Sequence, residues 1–401
     1  MRTLYDIGRH EPLAGGAWDP GAAGAALERI VRATADVVRE GGLWPAHPRD
    51  SEFRGGPQKT MYTGASGVVA ALALLDQKGA IESGADLAEL ACRSDDAWQR
   101  EPDAGHVPSL FLGETGVSLV RAALAPSADV LLRLERALHE NSTHPALELL
   151  WGSPGTMLAA LHLYRWTGEE RWRARYLEGA AHLFDTWQRD AESGTYLWRQ
   201  RLWGDTHRLL GACHGAAGAI HALLAGAALL SQEARELVVK RSIELACATA
   251  VTREGLTNWA PEVGDGPRLL QWCHGAPGIV NALCAVPKDV DASFDALLEQ
   301  AGELIFHAGP PRKGAGLCHG TAGNGYAFLA LYQRTADKRW LERARSFAMH
   351  AIVQHEQLLE RWRRPWFSLW TGDLGLALYL ADCLAGGGGL PFVERLELSR
   401  L

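Results

Sequence analysis

The 401-residue sequence predicts an all-α fold, a closed (α/α)7 toroid of seven inner and seven outer helices, and three observations predict it. A Gly-x-x-Gly signature occurs seven times, each time opening an Ala/Leu-rich stretch. Successive first glycines stand 39 to 63 residues apart, about 51 on average, a spacing typical of a repeat array rather than of unrelated domains. Two helix types recur within the units. One is apolar all round and must be covered on every side; the other carries a charged face and lies outside.

In chain order, Ala22 to Glu40 reads as an outer-type helix, followed by a polar loop containing Pro and Gly. The turns are Gly64-Ala-Ser-Gly67, Gly113-Glu-Thr-Gly116, Gly152-Ser-Pro-Gly155, Gly215-Ala-Ala-Gly218, Gly275-Ala-Pro-Gly278, Gly320-Thr-Ala-Gly323 and Gly372-Asp-Leu-Gly375. Apolar inner stretches follow them, such as GVVAALALL, GTMLAALHLY and GLALYLADCL. Charged outer stretches include ERWRARYLEGAAHLFDTW, ARELVVKRSIELACATAV and DKRWLERARSFAMHAIVQ. Glycine at the entry permits a sharp turn and close approach of backbones. No sheet is expected. No linker or low-complexity segment divides the chain, and the Gly386–Gly389 run reads as a turn. Residues 1–401 are therefore expected to form one domain, with residues 1–60 contributing an outer helix and a loop.

A chain that is 47% apolar and 22% charged is globular rather than disordered. Its net charge of −7 and lack of a basic tract argue against nucleic acid as the main partner. The longest nearly apolar stretch, Gly215 to Leu230, contains His221 and is too short to span a bilayer, so no transmembrane segment is expected. No secretory signal is expected at MRTLYDIGRH either. Seven cysteines, an odd and sparse set, do not form a disulfide framework, and a cytoplasmic location is expected.

Three turns carry an additional pair: Cys213-His214, Cys273-His274 and Cys318-His319. In a toroid, equivalent turns converge at one end of the central cavity. Thiolate and imidazole are ligands that zinc prefers, and three protein ligands leave a fourth position for substrate. The competing reading is small buried cysteines beside capping histidines. Cys92, Cys247, Cys284 and Cys383 lie in apolar helical patterns and read as core, and Cys213 as a plain buried thiol. The fifteen tryptophans read as packing between helices, with Trp151, Trp272 and Trp370 flanking the turns as candidates to line a peptide cleft.

The segments Leu269-Leu-Gln-Trp-Cys-His-Gly-Ala-Pro-Gly278, Lys313-Gly-Ala-Gly-Leu-Cys-His-Gly-Thr-Ala-Gly-Asn324, Glu148-Leu-Leu-Trp-Gly152 and Phe367-Ser-Leu-Trp-Thr-Gly372 resemble those of the lanthionine synthetase C-like family. This family comprises the lanthionine cyclases of lantibiotic biosynthesis and their stand-alone relatives. The resemblance extends from about Met61 to Leu384 and implies an (α/α)7 barrel, in agreement with the repeat count. It implies one zinc held by Cys273, Cys318 and His319. It also implies addition of a thiol to dehydroalanine or dehydrobutyrine, with His214 protonating the enolate. Glu148, four residues before Gly152, is implied to orient that histidine or the substrate. Two positions depart from the lantibiotic cyclases. Leu269 stands where they have arginine, with Arg268 one place off, and His274 stands where they commonly have an aromatic residue. Both features resemble the stand-alone branch, whose eukaryotic members bind glutathione. Lys313, Arg361 and His274 are accordingly the expected thiol-binding residues, Lys313 and Arg361 matching basic positions of that branch. The alternative for these two is ordinary exposed loop charge.

The expected function is zinc-dependent thioether formation on a dehydroamino acid of a peptide or protein, with glutathione or a similar small thiol as co-substrate. The alternatives are a lanthionine cyclase acting on a precursor peptide and a non-catalytic glutathione- or peptide-binding module. A glycosidase would need paired carboxylates in the cavity rather than a Cys/Cys/His cluster.

Overall fold

The computed structural model describes residues 3–38, 42–50, 56–103 and 105–394. In chain order the first helices are α1 (Pro20–Val38), α2 (Ala65–Gln77), α3 (Leu87–Arg100), α4 (Glu114–Leu124), α5 (Ala128–Asn141), α6 (Ser153–Thr167) and α7 (Glu170–Thr186). The second half adds α8 (Ala216–Ala225), α9 (Gln232–Thr249), α10 (Ala276–Leu283), α11 (Ala292–Ala308), α12 (Thr321–Thr335), α13 (Lys338–Trp362) and α14 (Asp373–Ala385). The expected first helix, Ala22 to Glu40, matches α1 over residues 22–38, and Arg39 and Glu40 lie outside the described residues.

Burial separates the two sets as the apolar patterns require. Every residue of α2 from Ala65 to Leu75 is buried, as is every residue of α14 from Asp373 to Cys383. In α3 only Leu87, Leu90, Ala91, Ser94, Asp95 and Trp98 are buried, a single stripe at helical spacing. The even-numbered helices contact one another in order, and α14 returns to α2, closing the inner ring. Each odd-numbered helix from α3 to α13 covers the inner helix before it, while α1 covers α14, the last. A polar clasp sits at this seam: the Lys78 ammonium and the Tyr326 hydroxyl (2.8 Å) both bind the Asp382 carboxylate, tying α2, α12 and α14 together.

The repeated glycines have a steric cause. A Cβ on Gly67, Gly116, Gly155, Gly218, Gly278, Gly323 or Gly375 would overlap the backbone carbonyl six residues earlier. The second glycine of each signature is therefore the point where the inner helix crosses its own entry turn. Positive φ is needed only at Gly275 (+102°) among the first glycines, so close approach, rather than left-handed backbone, accounts for most of the signature.

The turns are joined by a backbone ladder through one equivalent position, two residues before each first glycine. The Cys213 N–H donates to the Cys273 carbonyl (3.4 Å), Cys273 to Cys318 (3.1 Å), and Cys318 to Trp370 (2.9 Å). Trp370 donates to Tyr62 (3.2 Å) and Tyr62 to Phe111 (2.9 Å). The ladder thus runs around most of one rim.

The all-α expectation holds, but the expectation of no sheet does not, since three short antiparallel two-stranded hairpins occur: β1 (Gln188–Arg189) with β2 (Tyr196–Leu197), β3 (Gln200–Leu202) with β4 (Asp205–His207), and β5 (Ala250–Arg253) with β6 (Leu256–Trp259). They fill the two longest spacings between turns. Trp198 and Trp259 anchor this region through Nε1 donation to the carbonyls of Leu183 (2.9 Å) and Ala246 (3.0 Å). Among the described residues no helix is long and apolar enough to cross a membrane.

Candidate active site

The ladder places the three Cys-His turns side by side on the rim. Cys273 Sγ, Cys318 Sγ and a ring nitrogen of His319 all lie within 4.8 Å of one another, an arrangement that could hold one metal ion. Both cysteines are buried. The donor set, two soft sulfurs and one imidazole, suits zinc, and three ligands leave a coordination position open. Within this cluster the Cys273 thiol is pushed well above its ordinary pKa by its hydrogen bond to Cys318 and by burial, and burial likewise raises Cys318. Metal binding at this site must therefore displace protons.

Residues that the motif did not reveal complete the surroundings. Gln271 Nε2 donates to Cys273 Sγ (2.9 Å). The Tyr62 hydroxyl meets the Cys318 thiol, and burial together with the Cys318 and Cys213 thiols holds its pKa well above the usual value. Tyr62 was findable by register, since it fills the slot before Gly64 that cysteine fills in three other turns. The Cys213 thiol also meets Cys318, so it is more than an isolated core thiol, although it is not among the three clustered ligands.

His214 and Glu148 form a pair. His214 Nδ1 lies 3.1 Å from Glu148 Oε2, and the glutamate is fully buried. Its carboxylate also accepts the N–H groups of Leu150 (2.9 Å, Oε2) and Trp151 (2.6 Å, Oε1). Leu150 occupies the ladder position of the third turn, so here a carboxylate takes the N–H that a neighbouring turn takes elsewhere. The preceding Leu147 has φ +50°, a strained value for a bulky residue. Burial opposes the charge on His214, but the hydrogen bond and charge of Glu148, aided by Cys273 and Cys318, outweigh it and raise the histidine pKa. With Nδ1 engaged, Nε2 is the nitrogen left to exchange a proton.

His274 stacks beside His214, ring centroids 6.0 Å apart. Burial, reinforced by His214 and Arg268, lowers its pKa to about 4, and its Nδ1 has no hydrogen-bond partner among the described residues. Burial thus favours a neutral imidazole beside His214.

Lys313 and Arg361 are both exposed, Arg361 lying in the last turn of α13. Arg49 joins them: its guanidinium lies over the Trp366 ring (4.9 Å), close to Gly314 and within electrostatic reach of Arg361. Asp50 accepts from Trp366 Nε1 (2.6 Å) and lies within electrostatic reach of His319. This basic corner thus borders the Cys/Cys/His cluster through Asp50. Neither Arg49 nor Asp50 belongs to a repeat, which is why spacing did not mark them.

Of the tryptophans expected to flank the cavity, Trp272 and Trp370 are fully buried, with centroids 4.6 Å apart, and fill the space between turns rather than lining a cleft. Trp151 is half-buried. Cys383 is core, as expected, and Cys92 and Cys284 are partly buried, whereas Cys247 is exposed on α9. All seven cysteines are unpaired.

Residues 57–392 match the family model of the lanthionine synthetase C-like proteins. The chain is 32% identical over 267 residues to a zebrafish (Danio rerio) protein named glutathione S-transferase LANCL1, covering 63% of each chain. It is 31% identical over 222 residues to the Arabidopsis thaliana LanC-like protein GCL1, covering 51% of this chain and 46% of that one. The matched region thus spans less than two thirds of the length of either relative. Among solved structures, nisin cyclase superposes with a TM-score of 0.60 at 16% identity, covering 89% of this chain and 93% of that one, a likeness of fold. The match over most of the sequence, with the helical ring and the Cys-His turns, shows that this chain belongs to the lanthionine synthetase C-like family.

Proposed function

We propose that this protein forms a thioether by adding an external thiol, glutathione or a similar small thiol, to dehydroalanine or dehydrobutyrine in a peptide or protein. The observation that carries the reading is the His214–Glu148 pair, set one ladder step from a three-ligand Cys273/Cys318/His319 cluster. A binding module would need the cluster but not the acid.

Zinc held by Cys273, Cys318 and His319 would keep an incoming thiol deprotonated near neutral pH. The remaining steps belong to the chain. A sulfur–carbon bond forms at the β-carbon, the carbon–carbon double bond shifts toward the carbonyl, and His214 Nε2 delivers a proton to the α-carbon. Glu148 fixes the ring through Nδ1 and favours the imidazolium before transfer. The proton lost by the next thiol restores it. His274 keeps the space beside His214 neutral, so no second positive charge opposes the acid. Lys313 and Arg361, with Arg49 beside them, would meet the carboxylates of glutathione. Seven unpaired thiols and a thiol co-substrate together support a reducing, cytoplasmic setting.

The test supplies a peptide containing dehydroalanine and its own cysteine, with and without glutathione, and resolves the products by mass. A glutathione adduct is expected. Ring closure without adduct would make the protein a lanthionine cyclase, and no product of either kind would leave it a binding module.

A further inference from the structure

The β3–β4 hairpin lies against the site without belonging to the repeat. Leu202 pairs with Asp205, so the connection is the two-residue loop Trp203-Gly204, with φ +53° and +88°. Positive φ at both positions defines a type I′ turn, whose first position favours Asn, Asp or Gly because they tolerate left-handed backbone. Tryptophan is among the residues least suited to it, and a bulky residue held in a disfavoured conformation points to a use for its side chain.

Its position supplies that use. The Trp203 indole lies edge-to-face against His214, centroids 5.3 Å apart, and against His207 at 5.4 Å, yet the residue is 67% exposed. The hairpin beneath it is fixed. Gln200 Oε1 accepts from the Leu209 N–H (3.0 Å), its Nε2 donates to the Leu209 carbonyl (3.3 Å), and the Arg201 N–H donates to Pro145 (2.9 Å). Leu202 packs with Ala146, Leu209 and Trp151. An exposed indole on a rigid arm, touching the proposed proton donor, is a preformed surface for a flat group.

We propose that Trp203 is the platform on which the planar dehydroamino acid of the peptide electrophile lies, a substrate-binding residue beside His214. The dehydro residue is trigonal at both its α- and β-carbons and conjugated with its carbonyl. It therefore presents a flat, electron-poor face that stacks on an electron-rich indole, as a tetrahedral alanine does not. Lying there, its α-carbon is brought beside His214. This assignment rests on the dehydroamino acid reading given above, and the experiment separates the two.

Trp203→Asn creates Asn-Gly, the dipeptide a type I′ turn favours, so the hairpin is retained while the ring is removed. The zinc-loaded protein is titrated calorimetrically, without thiol, with a dehydroalanine peptide and with its alanine counterpart; turnover with glutathione is measured separately. The Asn variant should keep its zinc content and melting temperature but bind the dehydroalanine peptide about tenfold more weakly, with Trp203→Phe recovering most of the loss. KM for that peptide should rise with kcat little changed, since a platform contributes to ground and transition states alike. Undiminished binding by the Asn variant, equal weakening for both peptides, or no binding of the dehydroalanine peptide by the wild type would each overturn the platform. Trp203-dependent binding with no thioether product would leave the platform standing and sink the proposed reaction. Thioether formation by the Asn variant at wild-type KM would do the reverse.

Discussion

Two arcs of the same rim use one backbone position differently. On one arc the ladder carries Cys213, Cys273 and Cys318; on the other it carries Trp370, Tyr62 and Phe111, with Trp272 wedged against Trp370. The hydrogen bonds continue from one arc to the other, so the fold does not distinguish them. The side chains do, making one arc a run of buried thiols and the other a run of aromatic rings. Chemistry in this ring is thus chosen turn by turn on a shared frame, and substitutions on the two arcs should fail in different ways.

The largest effect is expected on the cysteine arc. Cys318→Ala should lose the metal and reduce thioether formation to background while keeping its helical circular dichroism. Elemental analysis decides this, and zinc at full occupancy would sink the ligand assignment. In the wild type, zinc affinity should fall as pH falls, because the raised Cys273 and Cys318 thiols must lose protons to bind it. Next, His214→Asn should keep zinc yet slow turnover by about 10²–10⁴-fold, the usual loss with general acid catalysis. Unchanged turnover would move the acid elsewhere, with His274 the nearest candidate.

The aromatic arc should show the opposite pattern. Trp370→Ala removes a fully buried ring and should cost about 3–5 kcal/mol of stability, read by urea unfolding, while zinc stoichiometry holds. Loss of zinc in this variant would mean the arcs are coupled, and the comparison breaks. Glu148→Gln sharpens it at the turn between the arcs. Removing the carboxylate withdraws what raises the His214 pKa, so the alkaline limb of the pH–rate profile should move to lower pH and activity at neutral pH should fall. A profile that does not move would reduce Glu148 to a backbone cap for Leu150 and Trp151. Smallest, Lys313→Ala and Arg361→Ala should each raise the KM for glutathione by about three- to tenfold without loss of metal, since exposed charges contribute little individually.

The ring was legible because its cause is local and repeated. Each second glycine faces a carbonyl six residues back, so the same steric demand writes the same letters seven times. The three Cys-His pairs were legible for a related reason, standing at fixed offsets from those glycines, while the choice of Cys273, Cys318 and His319 among them came from the family resemblance. What lay off the period was not. Arg49, Asp50 and Trp203 reach the site through folding of segments with no repeat to register them. The β3–β4 hairpin was overlooked because its strands are too short to show alternation. Glu148 was reached only through the family resemblance, and neither its two backbone N–H bonds nor the left-handed Leu147 before it has a pattern in the sequence. The burial of Trp272 and Trp370 was likewise invisible, since the same spacing serves a rim that faces inward or one that is packed shut.

The seam between α1 and α14 sets a timetable for biosynthesis. The helix that covers the last inner helix is made before every other helix of the ring, and its apolar face, including Leu27, Ile30 and Val31, lacks its main docking site until residues 373–385 follow. At ordinary translation rates that interval is roughly 20–70 s. A nascent chain would carry an uncovered amphipathic helix throughout, a natural target for chaperones. Cys318 donates its backbone N–H to Trp370, so the turn proposed to bind metal also gains its neighbour only near the end. Metal loading should therefore come after translation is nearly complete, and pulse-labelled nascent chains stalled before residue 370 should retain no zinc.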